Sequence, residues 1–180
     1  MPTFSLPISA SSNAVARIVM ILILLIIIPF PSQSNSLFQK TDVKLNNNIA
    51  LSDEKNLEKK LFDILDLNSK YVVNFWATWC IPCKKELPDL NKMKIDNKDL
   101  NIIIISIDKK PIKDQLNFLT KIKVNDLTTY FDKNMIFFKS LKLRGIPTTL
   151  LIRGKRIIAK KEGIFIYNKN SLEQINKFFN

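Results

Sequence analysis

The sequence predicts an α/β fold, with helices on both faces of a central mixed sheet. Two observations carry this prediction: strand-like apolar runs alternate with amphipathic helical patterns, and a hairpin pattern follows near the C-terminus. Alternation of strands and helices is typical of a parallel sheet, to which a hairpin adds antiparallel strands. A third observation, a long apolar run near the N-terminus, separates residues 1–34 from this predicted domain.

The first half of the domain is predicted as helix, strand, helix. Ser52 followed by two acidic residues is a good helix start, so residues 53–67 are expected to be an amphipathic helix. Tyr71–Ala77 is rich in β-branched and aromatic residues, which favours a strand. A helix is then expected from about residue 80 to 97, kinked at Pro88 because proline lacks the N–H that the helix needs.

The second half continues the alternation. Leu100–Asp108 contains four consecutive isoleucines and is apolar on both faces, as in a central strand covered by helices. Further elements are expected in chain order: a helix over 111–123, a strand over 127–131, a helix over 135–141, a hairpin of 148–153 and 155–161 that turns at Arg153-Gly154, and a helix over 171–179.

Composition excludes several classes of function. The 180 residues carry a net charge of +12, but the cations are spread along the chain and form no basic and aromatic platform, so no nucleic-acid partner is expected. The chain has no histidine, which excludes Ser-His-Asp and Cys-His catalysis. With only two cysteines besides, no metal site is expected.

The N-terminus has the pattern of an export signal. Arg17 precedes the apolar run Ile18–Phe30, and these 13 residues would span about 20 Å as a helix, which suits a signal peptide better than a full membrane span. Residues 1–34 are therefore expected to be a signal peptide cut after Ser34 or an uncleaved membrane anchor, with a buried core helix as the remaining alternative. Polar residues 35–50 are expected to be a linker.

The two cysteines have the spacing and the position, at the start of a predicted helix, that are typical of a reactive dithiol. Trp79-Cys80-Ile81-Pro82-Cys83 follows a predicted strand and opens a predicted helix. A helix N-terminus stabilises a thiolate, so the pKa of the Cys80 thiol should be low, and the spacing puts Cys83 one turn further on the same face. A purely structural disulfide and a metal site remain as alternatives. They are weaker, because short disulfide loops stabilise least and other ligands are missing.

Two longer motifs resemble a known family. The segment from Val73 to Pro88 (VNFWATWCIPCKKELP) and the later Gly145-Ile146-Pro147-Thr148-Thr149 resemble the TlpA/ResA branch of the thioredoxin-like proteins, which are exported or membrane-tethered thiol–disulfide oxidoreductases. The resemblance extends over residues 51–180 and implies a thioredoxin fold. It implies no cofactor.

The resemblance also implies roles for individual residues. Cys80 would attack, Cys83 would resolve, and Pro147 would be a cis-proline beside the dithiol. Ile146 would pair with a substrate strand through its main chain, and Trp79 would form part of the contact surface. Trp76, in contrast, is expected to be core.

Two further positions concern proton transfer. Glu86 could move protons, or it could be a helix-surface carboxylate paired with a lysine. Asn74 stands where ordinary thioredoxins have an aspartate, and an amide cannot act as that base. The change agrees with the TlpA-like branch and leaves the proton route to Glu86 or water.

The function expected from the resemblance is reduction of disulfides in exported proteins, in the periplasm or on the outer face of the inner membrane, with cytochrome c maturation as one setting. The alternatives are a dithiol oxidant and a non-catalytic binding module. Expected partners are protein disulfides or dithiols and a membrane electron donor, with a membrane tether if the leader is uncut. A monomer suffices for this chemistry.

Overall fold

A computed structural model describes residues 36–180. Residues 1–34, predicted as a leader, lie outside the described part. In residues 36–180 the strands are β1 Gln39–Lys44, β2 Ala50–Ser52, β3 Glu58–Lys60, β4 Lys70–Trp76, β5 Asn101–Ser106, β6 Thr128–Phe131, β7 Thr148–Arg153 and β8 Arg156–Glu162. The helices are α1 Leu61–Ile64, α2 Ile81–Asp96, α3 Ile112–Lys121, α4 Ile136–Ser140 and α5 Lys169–Phe179. None of the described helices is both long enough and apolar enough to cross a membrane.

The strands form one mixed sheet in the order β1-β8-β7-β4-β5-β6-β2-β3. Strands β4, β5 and β6 are parallel, while β7, β8 and β1 add antiparallel partners on one side and β2 and β3 on the other. Nearly every residue of β4 and β5 is buried. Because successive side chains of a strand point to opposite faces, both faces of the central sheet are covered, as predicted.

The register brings the ends of the parallel strands together. Trp76 of β4 is aligned with Ser106 of β5, and Ser106 with Phe131 of β6. The loops that follow these strands therefore leave the sheet at the same edge, where α/β folds usually bind ligands. The loop after β4 contains the dithiol.

Most of the predicted elements are confirmed, from β4 to α5, with end points shifted by a few residues. Helix α2 continues through Pro88, which lies inside it. The β7–β8 hairpin turns where predicted, with Gly154 at φ +58°, a left-handed conformation that glycine adopts without strain.

The predicted helix over 53–67 is wrong. Strands β2 and β3 pair as a hairpin there, and only Leu61–Ile64 is helical. Asp53 Oδ1 accepts hydrogen bonds from the main-chain N–H groups of Lys55 (3.0 Å) and Leu57 (2.8 Å). The side chain read as part of a helix start closes a turn instead, which aspartate does equally well. Leu57, within the predicted amphipathic helix, is 55% exposed.

The interpretation of 35–50 as a linker is also wrong. This segment contains β1, which pairs with β8, and Phe38 is only 1% exposed. The ring of Phe38 packs against those of Phe165 and Phe178, with centroids 6.4 and 6.1 Å apart. Strand β1 is an edge strand with mostly exposed side chains, so its composition is polar and shows little hydrophobic alternation.

Candidate active site

The dithiol lies at the N-terminus of α2. Cys80 is the N-cap residue, and its Sγ accepts a hydrogen bond from the Cys83 main-chain N–H at 3.2 Å. The two cysteines form a disulfide, with their Cα atoms 5.3 Å apart. The structure thus confirms the predicted position of the two cysteines after a central strand. N–H groups and the positive end of the helix dipole would favour a thiolate on Cys80 once the disulfide is reduced.

A buried carboxylate fixes the loop between β4 and Cys80. Thr78 donates two hydrogen bonds to Asp108 Oδ2, from its main-chain N–H at 2.9 Å and from Oγ1 at 2.5 Å. Asp108 itself is held by Ser106, whose Oγ accepts from the Asp108 N–H at 3.1 Å. The side chain of Gln115 donates to the Asp108 carbonyl at 3.3 Å.

Sequence analysis missed Asp108 and Thr78 as positioning residues. An aspartate and a threonine are ordinary loop residues, and they are 30 positions apart in the chain. The available signal was that Thr78 follows one predicted strand and Asp108 ends the next, and the ends of neighbouring parallel strands meet at one edge of the sheet.

Glu86 is buried one turn beyond Cys83. Its side chain is 0% exposed; Oε1 accepts from Asn74 Nδ2 at 2.6 Å and Oε2 from the Phe165 N–H at 2.5 Å. Burial raises the pKa of the Glu86 carboxyl to about 7, and the two hydrogen bonds together with the charge of Lys161 offset part of that effect. Of the two expectations for Glu86, the surface carboxylate is wrong, and its use in proton transfer stays a prediction.

Asn74 connects Glu86 to the neighbouring strand. Its Nδ2 also lies 3.1 Å from Thr149 Oγ1 on β7. Its Oδ1 is buried and has no hydrogen-bond partner among the described residues. The Asn74 amide can orient the Glu86 carboxyl, but it cannot act as an acid or a base in place of that carboxyl.

The Ile146-Pro147 motif immediately precedes β7, and Pro147 stands 64 positions after Cys83 in the chain. The Ile146–Pro147 peptide bond is cis, as the resemblance implies. Pro147 is buried, its carbonyl accepts the Gly163 N–H at 2.9 Å, and Ile146 is half-buried. The next residue, Thr148, is aligned with Phe75 of β4, so β7 brings this motif to the sheet edge that carries the cysteines.

The two tryptophans have different surroundings. Trp76 is fully buried and stacks on Phe118, with ring centroids 6.0 Å apart, so it is part of the core. Trp79 is 61% exposed next to Cys80, and Ile81, on the other side of Cys80, is 68% exposed. Sequence analysis did not single out Ile81.

The charged residues of the described part do not form a metal site. Within residues 36–180, no group of three or more cysteine, aspartate or glutamate side chains is placed to hold a metal ion. The Cys80–Cys83 disulfide at a helix N-terminus can perform thiol–disulfide exchange.

Comparison with known proteins agrees with this chemistry. The sequence model of the AhpC/TSA family matches residues 41–161. The thiol-disulfide oxidoreductase ResA of Bacillus thuringiensis (strain Al Hakam) is 28% identical over 141 residues, which cover 76% of this chain and 79% of ResA. Thioredoxin of Buchnera aphidicola subsp. Schizaphis graminum (strain Sg) is 31% identical over 119 residues, which cover 66% of this chain and 85% of that thioredoxin.

Solved structures show the same fold. One from Chlorobium tepidum, described as a thiol:disulfide interchange protein DsbE, superposes with a TM-score of 0.65 at 27% identity, covering 79% of this chain and 99% of that one. StoA of Bacillus subtilis superposes with a TM-score of 0.56 at 20% identity, covering 73% of this chain and 96% of StoA. The chain therefore belongs to the AhpC/TSA family of thioredoxin-like proteins and is a thiol–disulfide oxidoreductase of the ResA type.

Proposed function

We propose that this oxidoreductase works outside the cytoplasm as a reductant of protein disulfides. The observation that carries the direction is the buried Glu86 carboxyl, which partly ionises at neutral pH, next to a dithiol with no charged residue between its cysteines. Ile81 and Pro82 place no charge between the cysteines, and Glu86 lies one turn after Cys83 on the same helix face. A strongly oxidising dithiol needs its reduced, thiolate form stabilised. An ionised carboxyl near the sulfurs opposes that stabilisation, which favours a reducing couple.

In this mechanism Cys80 begins the exchange. Its thiolate attacks one sulfur of the substrate disulfide, so the substrate S–S bond breaks and a mixed disulfide forms. Cys83 then loses its proton and attacks the Cys80 sulfur, releasing the reduced substrate with two thiols and leaving the Cys80–Cys83 disulfide. Two electrons pass from the dithiol to the substrate. Glu86, with a pKa of about 7, is suited to take the Cys83 proton and return it at neutral pH.

Trp79, Ile146 and Pro147 would hold the substrate during the exchange. Trp79 is exposed beside Cys80, and Ile146 with its cis-proline lies at the facing end of β7. An extended substrate segment paired with the Ile146 main chain would bring its sulfur over Cys80. Main-chain pairing gives affinity with little sequence preference, as a reductant of several proteins requires.

Export is supported by the apolar run after Arg17, with signal peptide and membrane anchor as its two forms. Substrates would be disulfides in exported proteins, including the haem-attachment cysteines of apocytochrome c, and a membrane electron donor would reduce the Cys80–Cys83 disulfide again. The periplasm or the outer face of the inner membrane is the expected place, and a monomer is the expected form.

The midpoint potential of the Cys80–Cys83 couple tests the direction. The full chain would be purified in an uncharged detergent and equilibrated with dithiothreitol or glutathione redox buffers. A reductant is expected near or below thioredoxin, at about −270 mV, whereas an oxidant would lie toward about −120 mV and would overturn the proposal.

Trapping experiments test the roles of the cysteines. Cys83→Ser should accumulate mixed disulfides with exported proteins, because the second attack is lost. Cys80→Ser should trap none and should not turn over. Equal trapping by both variants would show that the attacking and resolving roles are not divided as proposed.

A further inference from the structure

We propose that the surface around the dithiol selects acidic substrate segments, in which apolar residues flank the reactive disulfide and aspartate or glutamate residues stand beyond them. This inference rests on the proposed function and adds a substrate class to it. It follows from an apolar centre with a rim of unpaired cations.

The apolar centre borders Cys80. Trp79 and Ile81 are both large, both exposed and directly adjacent to Cys80 in the chain. Ile146, half-buried, stands at the facing end of β7. Exposed apolar side chains grouped at a reactive site are typical of a contact surface, and they match apolar residues next to a substrate cysteine.

Six exposed cations lie, in three pairs, on the helix turn and the loops at this edge of the sheet. The first turn of α2 contributes one pair immediately after Cys83. The segment after Asp108, which holds the dithiol loop through Thr78, contributes the second, and the segment before Ile146 contributes the third. This cationic rim consists of Lys84, Lys85, Lys109, Lys110, Lys142 and Arg144, and all six residues are exposed.

The rim is only partly neutralised by its neighbours. Among the ion pairs of residues 36–180, none involves a rim residue. The buried Asp108 carboxyl keeps its charge: burial opposes ionisation, but hydrogen bonds from Thr78 and Lys110 and the charge of Lys110 lower its pKa overall, so it offsets part of the Lys110 charge. Glu162 accepts a hydrogen bond from Lys160 Nζ at 2.9 Å, and that bond and the charges of Lys160 and Arg144 lower the pKa of its carboxyl, so Glu162 offsets part of the Arg144 charge as well. A positive field therefore remains over the apolar centre.

Such a field acts mainly on the rate of encounter. Clusters of one sign raise association rates of oppositely charged partners by about 10-fold to 1,000-fold at low ionic strength. Since the rim is exposed, salt should screen most of the effect. A substrate segment bearing acids would thus reach Cys80 faster than a basic one with the same disulfide.

The test uses three disulfide-cyclised peptides of one length that differ only in their flanks, which carry aspartate, serine or lysine. The reduced full chain, in an uncharged detergent, is mixed with each peptide, and the second-order rate constant of disulfide reduction is measured. We expect the aspartate peptide to react about tenfold faster than the lysine peptide at low salt, and about twofold or less faster in 0.5 M NaCl.

Two double variants of equal charge change separate the rim from net charge. Lys85→Glu with Lys109→Glu alters the rim, while Lys98→Glu with Lys177→Glu alters exposed positions after α2 and near the end of α5, away from the dithiol. The ratio of the aspartate rate to the lysine rate is the readout, because a change in Cys80 reactivity cancels in it. We expect the ratio to approach one in the rim variant and to persist in the control variant.

Several results would overturn the inference. Equal rates for the three peptides would do so, as would an equal loss of preference in both variants. If the rim variant lost binding to phosphatidylglycerol vesicles but kept its peptide preference, the rim would serve a membrane surface instead. Reduction of the serine peptide at a normal rate shows that the oxidoreductase itself works. If the protein reduced none of the three peptides, the proposed function and this inference would both be wrong.

Discussion

Replacing Glu86 with glutamine should remove most of the pH dependence of stability between pH 5 and pH 8. The Glu86 carboxyl has a pKa of about 7 in the folded protein because it is buried, against an ordinary value of 4.5 in the unfolded chain. A raised carboxyl pKa means that folding favours the protonated form. The contribution of Glu86 to the free energy of unfolding is therefore greatest below about pH 4.5, falls as the pH rises from there to about 7, and is constant above that. At about 1.4 kcal/mol per pH unit, the full loss is about 3 kcal/mol.

The glutamine amide can occupy this site without adding to the one unsatisfied side-chain atom that Asn74 already has. Its oxygen can accept the Phe165 N–H in place of Oε2. Its NH2 group then faces Asn74, whose Oδ1 has no partner among the described residues and can turn toward it. The substitution removes the charge and keeps the packing, so the change isolates ionisation of the buried carboxyl.

The measurement is urea unfolding of the disulfide form at several pH values from 5 to 8. The difference in unfolding free energy between wild type and Glu86→Gln cancels other titrating groups, such as Asp132, whose pKa burial also raises. Wild type should lose about 2 to 3 kcal/mol relative to the variant over this range. Glu173→Gln, at an exposed position of α5, is the control and should follow wild type. Parallel curves for wild type and Glu86→Gln would refute the reasoning.

Three further substitutions test other contacts. Phe38→Ala should cost about 3 to 5 kcal/mol in urea unfolding, because it empties a buried ring site; a loss below about 1 kcal/mol would mean that the segment before β2 is dispensable. Thr78→Val removes the Oγ1 hydrogen bond to Asp108 and should slow disulfide reduction about tenfold, whereas Thr78→Ser should not; equal rates would contradict a positioning role. Asn168→Ala removes the hydrogen bond that its side chain accepts from Ser171 N–H (2.9 Å) and should lower the free energy of unfolding by about 1 kcal/mol in urea unfolding, with no effect on turnover.

The parts of the fold that sequence predicted well are those where the local pattern and the tertiary environment agree. Central strands β4 and β5 are buried on both faces, and their runs of β-branched and aromatic residues reflect that burial directly. The polar edge strand β1 and the β2–β3 hairpin were missed. There, the structure depends on pairing with strands distant in the chain, which leaves little hydrophobic periodicity.

The candidate active site likewise has features that local sequence predicts and features that depend on tertiary contacts. Cys80, Cys83 and the proline between them lie within four residues, so their spacing alone indicated a dithiol at a helix start. Burial of Glu86 was not readable from its position in an amphipathic helix, because it follows from the loop around Phe165, 79 positions later, closing over it. The hydrogen bonds between Thr78 and Asp108 likewise join two loops that only the parallel register of β4 and β5 places side by side.

The sequence by itself thus determined the class of chemistry, because a reactive dithiol needs only two cysteines at a fixed short spacing on a helix, a local property of the chain. Tertiary structure decided the surroundings of that dithiol: which carboxyl is buried, which loop is held by hydrogen bonds, and which side chains border the two buried cysteines. These depend on side chains brought together from far apart in the chain, and on burial, which changes the free energy of a charge far more than any neighbour in sequence does.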